Sequence, residues 1–116
     1  MTVLEWPAMV ARETQHFRLN AICDLAQGYI AIREGESEKG IRTLGHVTKS
    51  AERADSGHFQ IYAHEGVAVG LWRMTEKPDA IEHLRSAKKL RADMNMAYTD
   101  WDQMRIRSVL PAVRIA

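Results

Sequence analysis

The sequence predicts an all-α chain, two stacked antiparallel helix pairs closed by a terminal capping helix, and three observations lead there. Apolar residues recur at spacings of three and four through most of the chain, while the β-branched residues show no sustained alternation of period two. Proline occurs only at positions 7, 78 and 111, so long helices run uninterrupted. Residues 20 to 55 also match the residues forty positions later, so one structural unit occurs twice.

The first helix runs from about Pro7 to Arg33, with Pro7 in a first turn, where its missing N–H costs nothing. Its inward positions are expected at Ile22, Leu25, Ala26, Tyr29 and Ile32 or Arg33, and Cys23, beside Ile22, is expected as a small buried hydrophobe. "EGES" breaks the helix. The second, about Ser37 to Ala54, turns Ile41, Leu44, Val47, Ala51 and Ala54 inward and is closed by "DSG". Glu34, Glu36 and Glu38 at the joint complement the positive end of that second helix.

The third helix, about His58 to Met74, carries Phe59, Ile61, Tyr62, Val67, Val69, Leu71 and Trp72. Gly66 and Gly70 lie inside it at roughly 1 kcal/mol each against alanine, so a neighbouring backbone is expected to pass close by. The fourth begins near Pro78 and continues through Ile81, Leu84, Ala87, Leu90 and Met94. A fifth, about 99 to 114, starts at Thr99 or Asp100, either a suitable N-cap, and is ended or kinked at Pro111. Trp101, Met104 and Val109 are expected to dock inward, leaving Asp100, Asp102, Arg105 and Arg107 as the polar outer face that a terminal unit needs.

The offset of forty pairs Arg33 with Arg73, Glu36 with Glu76, Ile41 with Ile81, Leu44 with Leu84 and Lys49 with Lys89. Small residues match too, Gly28 with Ala68, Ala26 with Gly66 and Gly40 with Ala80, which lets the two axes of each pair come close. The pairs occupy about 20 to 55 and 60 to 95 of a single domain, 1 to 116. "AQGYIAIREGESEKGI" and "GVAVGLWRMTEKPDAIEHLRSAKKL" resemble the tetratricopeptide pattern of small and apolar residues. The period of forty, against about 34 in that family, resembles the longer repeats of large bacterial transcription activators, as does "AERADSG".

The resemblance implies a right-handed stack whose first helix in each pair lines a concave, partner-binding face. The matching positions are Tyr29 and Arg33, preceded by Ile22 and Leu25, on one helix, and Tyr62, Glu65, Val69, Trp72 and Arg73 on the other. Aromatics with an arginine at each end offer large contact area and ionic selectivity for an acidic peptide or helix. The expected function is therefore non-enzymatic protein-protein interaction, as the regulatory segment of a transcription regulator or as a free adaptor. The alternative is a small-molecule sensor whose pocket is lined by Tyr29, Tyr62 and Trp72.

Composition narrows the rest. A 46% hydrophobic, 27% charged chain matches neither a disordered nor a membrane class, and no apolar run approaches the ~20 residues of a spanning helix. The N-terminus lacks the basic flank and apolar core of a signal peptide, and a single cysteine cannot form an internal disulfide, so a cytoplasmic setting is expected. Residues 1 to 84 carry nine Lys/Arg and twelve Asp/Glu, a balance of −3, and residues 85 to 116 carry seven and three, a balance of +4. The basic stretch "RSAKKLRADM" has no nucleic-acid reading motif, so nucleic acid is not expected as a partner. There is no nucleophile elbow or phosphate loop, His58 and His64 project about 240° apart on a helix, and neither catalysis, cofactor nor metal is expected. Two apolar ends make self-association, a homo-oligomer, a reasonable expectation.

Overall fold

The computed structural model describes residues 5 to 109, with side chains from His16 onward. Five helices follow in order: α1 (Glu5–Arg33), α2 (Ser37–Arg53), α3 (Gly57–Arg73), α4 (Lys77–Asp93) and α5 (Asp100–Arg105). No strand occurs among the described residues. α1 packs antiparallel on α2, α2 on α3 and α3 on α4, giving stacked helical hairpins to which α5 is added. The expected terminal helix is shorter than its sequence pattern: α5 has six residues, 106 to 109 form turns, and 110 to 114 with Pro111 lie outside the described residues.

The joints are alike. Gly35, Asp55, Thr75 and Asn95 each hold a positive φ, at intervals of twenty residues. At each, the N–H of the next residue reaches back to the carbonyl five before it, from Glu36 to Ala31, Ser56 to Ala51, Glu76 to Leu71 and Met96 to Arg91, at 2.8–2.9 Å. This is the Schellman closure, in which a left-handed residue turns the chain back to satisfy the last carbonyls. It holds α2, α3 and α4 to 17 residues apiece.

The core follows the same register. Leu44, Val47 and Ala51 of α2 and Ala80, Leu84 and Ala87 of α4 are buried on the two sides of α3, whose residues from Ile61 onward are mostly buried because it is covered by α2, α4 and part of α1. On α1 the buried positions are Ala21, Gly28, Ala31 and Ile32, a face turned by about one residue from the expected one. Ile22 is 55% exposed in consequence, and Cys23 is exposed rather than buried.

The glycines mark the closest approaches. A Cβ on Gly40 would lie 2.6 Å from the carbonyl oxygen of Gly28 and 2.5 Å from Ile32 Cγ1, so α1 and α2 touch backbone to backbone there. Gly66 and Gly70 do something else. They admit side chains, not the expected neighbouring backbone: Leu44 and Tyr29 fill the space over Gly66, and Ile41 and Ile32 that over Gly70.

Candidate functional site

The fully buried side chains include a carboxylate in the middle of α3. Glu65 is 0% exposed, a position where an unpaired charge would be very costly. Arg91, buried near the end of α4, answers it with a two-pronged contact, Nε to Oε2 at 3.0 Å and Nη2 to Oε1 at 2.9 Å. Arg105 of α5 donates from Nη2 to Glu65 Oε1 at 2.8 Å and to Asp102 Oδ1 at 3.0 Å. Arg91 Nη1 reaches Asp102 Oδ2 at 3.3 Å. Two carboxylates and two guanidiniums thus alternate in a closed ring of zero net charge that joins α3, α4 and α5.

Aromatic rings enclose it. The Arg105 guanidinium lies over Tyr29 at 5.3 Å and over Tyr62 at 5.1 Å, and that of Arg91 over Tyr98 at 4.1 Å. Arg105 also donates to the Tyr29 hydroxyl, which in turn donates to the carbonyl of Tyr62 at 2.7 Å. Burial pushes the Tyr29 hydroxyl well above its ordinary range, so it stays a neutral donor. Burial would also raise the Asp102 carboxyl, but the N–H of Thr99 and the two arginines outweigh it and bring it to about 2. Thr99 and Asp102 cap α5 reciprocally, at 3.1 and 3.0 Å, which fixes Asp102 before it meets the ring.

Beside the ring an open groove of about 550 Å³ runs between α1, α3 and α5. Tyr29, Ile32 and Val69 form its floor, Trp101 and Met104 one wall, and Arg33, Arg73 and Arg105 supply cationic groups. Trp101 is 69% and Met104 68% exposed, so α5 presents its apolar face outward. The expected orientation of α5 is reversed: Asp102 and Arg105 turn in to the ring while Trp101 and Met104 turn out, and of the three residues expected inside only Val109 is buried, with Ile106 beside it.

The structure brings four of the seven expected partner-binding residues, Tyr29, Arg33, Val69 and Arg73, to this groove. Arg33 is exposed, and Arg73 donates from Nη1 to the Ile32 carbonyl at 2.6 Å, bridging α3 to α1 along one edge. Tyr62 backs the groove from beneath Arg105. Glu65 is no surface group: it sits at the centre of the ring, where a partner cannot reach it. Trp72 is also displaced, half-buried against the core with the Lys77 ammonium 5.1 Å from its ring. Of Tyr29, Tyr62 and Trp72, Tyr29 alone is among the residues that line this groove.

The ring had a signal in the sequence. At the offset of forty, Glu65 falls opposite Leu25 and Arg91 opposite Ala51. Two charges of opposite sign at positions the other unit fills with core residues imply a buried pair. Asp102 and Arg105 announce themselves less, as an acid and a base three apart on a short helix. Compared with known proteins, the chain matches no family model, no curated protein and no solved structure.

Proposed function

We propose that the chain is a non-enzymatic protein-interaction domain that receives an acidic peptide or helix in the groove between α1, α3 and α5. One observation carries the reading: Trp101 and Met104 stand about two-thirds exposed at the groove wall, although α5 is anchored firmly enough to have turned them inward. Large side chains held in solvent by a rigid frame are what binding hot spots are made of. Arg33 and Arg73 add the preference for acid, since the charge of Arg105 is already balanced by Glu65 and Asp102.

A partner of this chemistry sets an aliphatic or aromatic anchor against Trp101, Met104 and Val69 and flanks it with Asp or Glu toward Arg33 and Arg73. Stacked helix pairs that resemble tetratricopeptide units support the same reading, and the likeness to long bacterial repeats extends it to the regulatory segment of a transcription regulator in a cytoplasmic setting. No helix among the described residues is long and apolar enough to cross a membrane.

The test is selection from a displayed library of random 15-residue peptides on the immobilised chain. Enriched peptides should carry acidic residues around one large apolar anchor, and Trp101→Ala and Arg73→Glu should each weaken them at least tenfold. Peptides without acidic bias, or affinities unchanged in both variants, would remove the groove from consideration.

A further inference from the structure

One residue before Glu65, on the side of α3 turned from the groove residues Val69 and Arg73, two histidines meet. His64 of α3 and His83 of α4 place their Nδ1 atoms 3.0 Å apart, with ring centroids 5.2 Å apart and planes inclined at 40°. Both rings are half-buried. Without a metal, one Nδ1 carries the hydrogen and the other accepts it. With both rings in the Nε2–H tautomer, the two Nδ1 lone pairs face each other across this gap, and a tilt of both rings turns them onto one point between the helices.

The spacing is that of a chelate. Metal–imidazole bonds of about 2.0–2.1 Å drawn from nitrogens 3.0 Å apart enclose an angle of about 94°. This lies near the right angle of tetragonal copper(II) or nickel(II), and only a slight opening separates it from the tetrahedral angle of zinc. Imidazole nitrogen suits these late first-row ions and not magnesium or calcium.

Carboxylates of α2 and α4 stand near the pair. Glu52 of α2 acts electrostatically on His64, and Asp79 and Glu82 of α4 on His83. Burial, and for His64 the nearby His83, hold both rings below the ordinary imidazole range, so they are neutral and available at pH 7. Among the described residues no group of three or more His, Cys, Asp or Glu converges, so the protein supplies two donors and water the others.

We propose that His64 and His83 form a clamp across α3 and α4 that binds one late first-row divalent metal ion, copper(II) most tightly, through their Nδ1 atoms. Bound metal ties α3 to α4 and raises the stability of the folded chain by mass action. The site is independent of the groove, so either can fail without the other.

The experiment titrates the untagged chain of 116 residues with copper(II), nickel(II), zinc(II) and magnesium(II) by calorimetry, followed by thermal melts and, for copper, electron paramagnetic resonance. One copper per chain is expected, with nitrogen hyperfine splitting, a rise in melting temperature and a weaker zinc isotherm. His64→Gln and His83→Gln, each checked for helicity by circular dichroism, should weaken copper at least tenfold, while His46→Gln and His58→Gln leave it unchanged. Copper affinity no greater than that for magnesium, or copper binding equal in the wild type and the His64→Gln and His83→Gln variants, would overturn the proposal.

Discussion

Removing one member of the buried ring strands another. Arg91→Met leaves Glu65 beneath α4 with Arg105 alone for company, and removing one partner of a buried pair typically costs about 3–5 kcal/mol. Chemical denaturation should show a loss of that size. The double replacement Glu65→Leu with Arg91→Leu removes one charge of each sign and should cost clearly less than the sum of the two single changes. Simple additivity would mean that the ring is not coupled. Acid gives a second handle. Asp102 titrates near 2 when folded against 3.8 ordinarily, so the folded state binds its proton less readily than the unfolded chain. Its stabilising contribution is complete above pH 4 and is lost as pH falls toward 2. Asp102→Asn should flatten that part of the stability profile, and an unchanged slope between pH 4 and 2 would contradict the assignment.

At the scale of the helix, the joints set what can be changed. Thr75 is β-branched and sits at φ 63°, where an L-residue costs about 1–2 kcal/mol. Glycine recovers that strain and gives back part of it through a freer unfolded chain, so Thr75→Gly should stabilise by about 0.5–1 kcal/mol. Gly40→Leu and Ala80→Leu are both expected to destabilise by about 1–3 kcal/mol through overpacking, with Gly40 the worse because its neighbour is the Gly28 backbone. Melting temperatures within a degree of the wild type would count against the close contacts.

The element pattern was legible in the sequence because backbone signals are local. "EGES", "DSG" and the starts at Ser37 and Pro78 placed three joints within a residue or two. The facing of α1 was not legible, since Ile22 and Ala21 are adjacent and only the tertiary contact with α2 decides which turns inward. The reversal of α5 has the same origin. Apolar residues are ordinarily buried and charged ones exposed, and that rule gives the wrong answer where Glu65 and Arg91 are already buried and await partners.

For the molecule as a whole, the ring explains why a helix of six residues stays in place. So short a helix has no stability of its own, and its attachment comes from Asp102, Arg105, Ile106 and Val109 engaging the far end of the stack. The positive balance of the C-terminal part is correspondingly smaller at the surface, because Arg91 and Arg105 are matched internally and Arg85 meets Glu82 at 3.2 Å. Truncation after Tyr98 should thus lower the melting temperature of the entire chain in one transition, since it uncovers Glu65 and Arg91 together. A separate early transition confined to the C-terminus, with the rest unmoved, would show that the ring does not couple α5 to the stack.

The left-handed residues at 35, 55, 75 and 95 carry one more consequence. Each marks the same phase of helix and turn, so residues 57 to 96 begin and end at equivalent points of the path. Such a segment can be copied in tandem with no change of direction at either seam. The length of the stack is then a matter of counting.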